Sequence, residues 1–520
     1  MTAISVSTTN NAAPAEATTQ SGTAIVAMIA AVNFAFHMAT ATLYGFFIDE
    51  IYFLACGQHL DWGYVDMPPL TAFQAWLARH LFGDSPYSIR LFPALASAGL
   101  VLLAGAIVRE LGGGRFAQIL AALAVLLAPG YLVFCSYLSM NAIEPLIWSG
   151  CALVVIRIIR RDEPRLWPWF GLLSGIGLLN KHTMLVFGFA VVVALLLTPD
   201  RRLMFNRWFV LAGAIAFVIF LPNLVWEIRH GFPHLELLRN IKRNGRDVQM
   251  NPAVFLLWDV LLANPVTAPL WIAGLVSLLA GSLKKYRALG LTWIIAYVVL
   301  ILAHGRFYYL LPAFVILFAA GAVAMERTTV ARTWIRPAYA ALVVVVGALI
   351  APTLVPVLPP AAYFRYVQMT HLAQPQFEHR RTTSMPQLFA DRFGWPEMAA
   401  TVARVYNSLP PDVRAKTAIF GNDYGESGAI DFYGPRYGLP KSIGGHLSNW
   451  YWGPRGYTGE SVLVLGDDRK TLEREFEIVR PMAEIGHPYA MAQEHFTLYL
   501  AQKPRGWTFQ SAWSQLKKFQ

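Results

Sequence analysis

Charged residues are scarce in this sequence. They make up 14% of its 520 positions, against about 25% in soluble chains. So few charges cannot cover several water-facing domains, which excludes an ordinary soluble protein of this length. Cysteine is rarer still. Three cysteines at irregular spacing exclude a disulfide framework and a cysteine-rich metal cluster, and leave a Cys56–Cys135 bridge as the one pairing to test. The first 22 residues contain no Lys or Arg, so the first apolar run does not read as a cleavable signal peptide. Residues 1–22, mostly Ser, Thr, Ala and Asn, read instead as a disordered cytoplasmic tail.

Apolar residues are abundant, at 56% of the chain. They fall in blocks of about 20 residues, the length that crosses a bilayer as helix. The blocks predict eleven spans: 23–48, 88–108, 116–134, 141–159, 166–180, 182–198, 208–226, 260–281, 288–304, 308–325 and 337–357. The net charge of +11 then follows from Lys and Arg gathered in cytoplasmic loops rather than from nucleic-acid binding. With the N-terminus inside, the inner loops carry Arg109/Arg115, Arg157/Arg160/Arg161/Arg165, Arg201/Arg202/Arg207, Lys284/Lys285/Arg287 and Arg327/Arg332/Arg336. That orientation places the C-terminal end outside.

Residues 23–357 therefore form a transmembrane domain with an external loop, 49–87. Within that loop the apolar stretch 70–82 predicts a helix lying along the interface, anchored by Trp76. A second outer segment, 227–255, carries Arg229, Arg239, Lys242, Arg243 and Arg246. After Pro359-Pro360 the composition becomes that of a soluble domain, 361–520. Strands are expected at Val462–Leu465 and Phe496–Leu500 and a helix at Lys470–Val479, giving an α/β fold. The fold class is thus a mainly α polytopic membrane protein with a C-terminal soluble α/β domain.

Several ionisable residues break the expected charge pattern. Asp49-Glu50 close the first predicted span on the outer side. Two charges marking a helix end is the plain reading. A carboxylate in a partly desolvated niche among aromatics and prolines also suits a general base. Glu144 lies just inside the fourth span, where an ionisable group is costly and points to function, or caps the helix at the outer surface. Lys181, followed by His182, and Arg306 place cations on the outer face, against the charge trend. They either snorkel or bind an anionic group. Tyr64, His59 and Tyr308 stand close to these motifs, with packing as the alternative role. Carboxylates and cations on one membrane face suit a substrate with a phosphate at the surface and a hydroxyl to activate.

The motifs resemble those of bacterial members of the protein mannosyltransferase-like superfamily, glycosyltransferase family 39 and its relatives, which include lipid A aminoarabinose and galacturonic acid transferases. The carrying residues are Phe47-Ile48-Asp49-Glu50 and Gly63-Tyr64-Val65-Asp66-Met67-Pro68-Pro69-Leu70. Glu144-Pro145-Leu146 stands where that family commonly has Asp-Pro-Leu. Gly177-Leu178-Leu179-Asn180-Lys181-His182-Thr183 and Phe307-Tyr308-Tyr309-Leu310-Leu311-Pro312-Ala313 complete the set. Asn422-Asp423-Tyr424-Gly425-Glu426-Ser427-Gly428-Ala429 is similar to the external domain of many bacterial members.

The resemblance implies a GT-C membrane glycosyltransferase. It would take a sugar from a polyprenyl-phosphate carrier and pass it to a lipid A, glycan or protein acceptor on the external face of the bacterial inner membrane. On that reading Asp49 is the catalytic base and Glu50 orients it or the acceptor. Lys181 and Arg306 hold the lipid phosphate, Glu144 orients hydroxyls, and Tyr64, His59 and Tyr308 line the site. No metal site is assigned; a divalent cation between Asp49 and Glu144 is the disfavoured option. The alternatives from other classes are a transporter or flippase of a lipid-linked or anionic solute, and a scaffold whose tail domain holds a partner. For the tail, the aromatic run Trp450-Tyr451-Trp452 supports sugar stacking or core packing.

Overall fold

The computed structural model describes residues 22–245, 250–372 and 383–520. The tail predicted over residues 1–21 and the outer-segment residue Arg246 lie outside the described residues. Helix dominates the first two thirds of the chain, and each of the eleven predicted spans is occupied by helix. Among the described residues, seven helices are long and apolar enough to cross a membrane. An eighth span results if Pro252–Leu262 and Pro265–Leu279 count as one.

Where helices break, the sequence gives a cause. The expected 116–134 span divides into Arg115–Leu126 and Pro129–Phe134, because Ala128 before proline is pushed to an extended conformation. Lys181 is likewise extended and separates Trp167–Asn180 from Met184–Leu196. The Pro252–Pro265 pair bends by 104°. Asn264 sits at the bend with φ of 73° and donates to Leu127 O and Val343 O. The first span is shorter than expected. Its helix, Thr23–Thr40, stops well before Asp49, and after a turn the chain starts a new helix at Ile48–Gly57. Asp49 and Glu50 therefore open a helix instead of closing one.

Packing in the bundle follows membrane rules. A Cβ added at Gly274 or Gly321 would collide with Leu317 O or Leu270 O, so Ala268–Leu279 and Phe314–Thr328 touch backbone to backbone. Arg207–Arg229 and Ile335–Leu354 are barely covered and present Val210, Phe217, Val218, Val344 and Val345 outward, a surface suited to lipid. At one end of the bundle Glu110 binds Arg157 at 2.8 Å and Arg160 at 2.7 Å, and Lys285 reaches Arg160 O at 3.4 Å. The basic loops assigned to one face of the membrane thus meet at one end of the helices.

The expected 70–82 helix is present as Leu70–Phe82. In the C-terminal part four strands form one sheet in the order β1-β2-β4-β3: β1 Thr417–Gly421, β2 Ser461–Leu465, β3 Phe476–Ile485 and β4 Phe496–Pro504. β1 pairs with β2 in parallel, and the other pairings are antiparallel. The helix expected over Lys470–Val479 is corrected to Arg469–Glu475. From Phe476 the chain alternates apolar and charged residues and joins the sheet as β3, with a bulge at Pro481/Ala483. The three cysteines are free and buried, so no Cys56–Cys135 bridge forms.

The C-terminal part is packed directly onto one end of the bundle. The helix that follows β1, Tyr424–Tyr433, lies on Ile48–Gly57. A Cβ at Gly425 would stand 2.6 Å from Ile48 Cγ1, and one at Gly428 would stand 2.7 Å from Ile51 Cγ2. Tyr52 Oη and Ser448 Oγ are 2.8 Å apart, and Val65 N donates to the same Ser448 oxygen at 3.1 Å. Lys441 donates to Gln58.

Candidate active site

Two groups of polar residues meet at this junction. The first is built on the opening turn of Ile48–Gly57. Glu50 is fully buried and accepts four hydrogen bonds. They come from Arg90 Nε at 3.0 Å and Nη2 at 2.6 Å, Phe47 N at 2.8 Å and Leu138 N at 2.9 Å. Arg90 also donates to Ala41 O and Gly45 O. One ion pair thereby ties together the end of the first helix, the turn after it and the Tyr137–Leu138 segment. The carboxylate of Glu50 is turned into the protein and bonds the turn on which Asp49 stands.

Asp49 itself is half-buried and accepts from Tyr424 Oη at 2.8 Å. Tyr137 packs on Phe47 with ring centroids 4.5 Å apart and lies within electrostatic reach of Asp49, Arg392 and Tyr308. Arg392, delivered by the C-terminal part, is buried, donates to Ser136 Oγ at 3.0 Å and lies 5.6 Å from the Tyr137 ring centroid.

The second group centres on Lys181, which is buried at the break in its helix. Its Nζ donates to Glu144 Oε2 at 2.9 Å and Asn141 Oδ1 at 2.8 Å, and sits 4.0 Å from the Tyr309 ring centroid and 5.6 Å from that of Tyr308. Thr183 donates to the other Glu144 oxygen. Glu144 and Lys181, separate suspicions in the sequence, are one buried ion pair. Tyr308 faces Lys181 on one side and packs on Phe134 on the other, with ring centroids 5.1 Å apart. Arg306 is half-buried and immediately precedes the 3-10 turn Phe307–Ala313 that carries Tyr308 and Tyr309.

Two residues expected to line the site are placed elsewhere. The Tyr64 hydroxyl, buried, lies 3.1 Å from each of Cys56 O, His59 O and Asp61 N. It locks the loop onto the end of its helix, which is a packing role. His59 stacks on Trp452 at 4.2 Å and contacts Ala55 O, at the far end of the Asp49 helix. Its ring and Trp452 belong to the docking contact with the C-terminal part.

Arg90, Tyr137, Arg392 and Tyr424 were not picked out by sequence. Arg90 did leave a signal, as a lone cation four residues into an apolar helix. Arg392 left none, because its partner Ser136 lies 256 residues away; Tyr424 stood within the 422–429 motif, but its partner Asp49 lies 375 residues away. For metal ions, no group of three or more His, Cys, Asp or Glu among the described residues is arranged to hold one.

Residues 66–226 match the family model described as dolichyl-phosphate-mannose-protein mannosyltransferase. A lipid A galacturonosyltransferase, RgtD of Rhizobium johnstonii, is 30% identical over 188 residues, which is 36% of this chain and 39% of that protein. The chain thus aligns with well under half of that relative's length. Among solved structures, ArnT from Cupriavidus metallidurans bound to undecaprenyl phosphate superposes with a TM-score of 0.61 at 14% identity. The match covers 92% of this chain and 98% of ArnT. The mycobacterial arabinofuranosyltransferase AftD gives 0.52 at 15% identity, over 93% of this chain and 40% of AftD. These likenesses agree with the resemblance carried by the motifs, and with the helix layout they make the chain a multi-pass membrane protein of the GT-C fold.

Proposed function

We propose that the chain is a glycosyltransferase that moves a sugar from a polyprenyl-phosphate donor to an acceptor hydroxyl at the outer face of the bacterial inner membrane. Its N-terminus would be cytoplasmic and its C-terminal part external. The observation that carries this reading is a carboxylate, Asp49, held by Tyr424, and a buried cation, Lys181, held by Glu144 beside Tyr308 and Tyr309. The similar ArnT was solved with undecaprenyl phosphate, and RgtD is a lipid A galacturonosyltransferase. The first accords with a lipid-linked donor, and RgtD with a lipid A acceptor.

In this mechanism Asp49 takes the proton of the acceptor hydroxyl while its oxygen attacks the anomeric carbon. The bond from that carbon to the phosphate oxygen breaks, and the electron pair leaves with the polyprenyl phosphate. Lys181 stabilises the charge that develops there, as a fixed cation in a dry site does best, and Arg306 is a second cation for the same group. Glu144 holds Lys181 and can accept from sugar hydroxyls. Glu50 fixes the turn on which Asp49 stands, and Tyr308 forms the wall between base and cation.

The test uses membranes containing the chain, incubated with undecaprenyl-phosphate-linked galacturonic acid, mannose and aminoarabinose carrying a radiolabel. Transfer of one label to lipid A, glycan or protein is expected, with Asp49→Asn abolishing it while the protein remains inserted and folded. Undiminished transfer by Asp49→Asn removes Asp49 from the base role. No transfer from any donor by the wild type turns the reading toward a transporter or scaffold.

A further inference from the structure

We propose that Tyr424, brought from the C-terminal part, is a positioning residue for Asp49: its hydroxyl fixes the orientation of the carboxylate and tunes the acidity at which it works. This rests on the reading of Asp49 as the base.

The geometry that places Tyr424 is strongly determined. Tyr424 opens the helix that runs to Tyr433, and its own approach is set by the turn before it. Asp423 accepts from Gly425 N at 2.8 Å, while Glu426 accepts from Asp423 N at 3.0 Å and Asn422 N at 2.7 Å. This reciprocal cap fixes the direction of the first turn. Glycines at 425 and 428 then let the helix backbone rest on Ile48 and Ile51, on either side of Asp49 in the partner helix. The Tyr424 ring is buried between Tyr52 and His446, with centroids 5.2 Å from each. The phenol thus meets Asp49 Oδ1 at 2.8 Å with little freedom to leave.

A docking bond is the plainer role for such a contact, yet docking is already secured elsewhere. Ser448 joins Tyr52 and Val65, Arg392 joins Ser136, and Lys441 joins Gln58. The Tyr424 contact is directed at a half-buried carboxylate on the face that also holds Tyr137 and Tyr308. A hydrogen bond donated to a carboxylate favours its charged form. Other groups among the described residues stand near Asp49. Glu50 on its own helix is bound to Arg90. Tyr137 comes from the turn before Met140, with Arg392 beyond it, and Asp423 and His446 stand behind Tyr424 as a 3.2 Å pair. Tyr424 is a neutral donor, so its removal leaves every charge in place.

The experiment compares wild type, Tyr424→Phe, Asp49→Asn and the double variant by thermal unfolding in detergent and by transfer rate across pH. The donor is whichever labelled undecaprenyl-phosphate sugar the wild type uses. A base must be ionised to act, so losing a donor to its charged form should move the acid limb of the rate profile of Tyr424→Phe upward by about one pH unit. Its rate should fall most at the acid end and recover as pH rises. The two single substitutions should also be non-additive in unfolding, reporting the contact itself. Additive unfolding, a profile that superimposes on wild type, or an equal loss at all pH values each overturn the proposal. Activity in Asp49→Asn instead overturns the base assignment, and the proposal falls with it, whereas a non-additive cycle would still record the contact.

Discussion

Removing the charge of Glu50 is the sharpest perturbation the structure offers. Its carboxylate and the Arg90 guanidinium are 0% and 2% exposed and 2.6 Å apart. Two further backbone donors, Phe47 N and Leu138 N, converge on the same carboxylate. Breaking one partner of a buried, fully bonded pair costs about 3–5 kcal/mol, because the other charge is left without compensation. Glu50→Gln keeps the shape and should cost about that much, a large share of the roughly 5–15 kcal/mol that holds a typical protein folded. Replacing both partners, as in Glu50→Leu with Arg90→Met, should cost less than the sum of the single changes, since no charge is stranded. The double variant would still leave Ala41 O and Gly45 O without their donor, so recovery should be partial. Intrinsic tryptophan fluorescence during thermal unfolding of the purified protein reads these differences. Sugar transfer by Glu50→Gln should fall in step with stability, because Asp49 stands on the turn that Glu50 holds. If transfer is lost while the unfolding transition stays where it was, Glu50 acts in the chemistry and the reasoning is wrong.

Lys181→Met should raise KM for the lipid-linked donor by about tenfold or more, as loss of a charge-assisted contact to phosphate implies, and should also destabilise the protein by stranding Glu144. Adding Glu144→Gln should restore the unfolding temperature without restoring KM, a split that kinetics and unfolding measured together would reveal. In the C-terminal part, burial first and then the nearby Glu426, Asp423 and Asp391 carboxylates hold the Glu494 carboxyl well above the usual range. A raised carboxyl favours the folded state at low pH and loses that contribution as pH climbs past about 4.5, where an unfolded glutamate ionises. Glu494→Gln should therefore match wild type near pH 5 and unfold at a higher temperature near pH 9, as differential scanning fluorimetry at the two pH values would check.

Much of the architecture was legible because the membrane makes it a local matter. Blocks of about 20 apolar residues, basic loops on alternate sides and prolines at the breaks need no knowledge of distant partners. The four-stranded sheet was half visible, in Val462–Leu465 and Phe496–Leu500. The stretch after Lys470 was misread because its charge favours helix while its alternation from Phe476 favours strand. The sheet neighbour β4 decides between them.

The candidate site was legible in its residue types but not in its pairings. Asp49, Glu50, Glu144 and Lys181 stand out because charge is costly near a bilayer. Sequence alone thus singled out these residues as candidates, and the structure brings Glu144 and Lys181 into one ion pair. Residue type and spacing alone did not tell Asp49 from Glu50, since both sit in one helical turn with the same charge; only the family resemblance made Asp49 the expected base. Tertiary structure divides them, turning Glu50 inward onto Arg90 and Asp49 outward onto Tyr424, 375 residues away. The reason is physical: hydropathy and charge act along a short stretch of chain, whereas the partner that neutralises or orients a carboxylate is chosen only when distant segments pack.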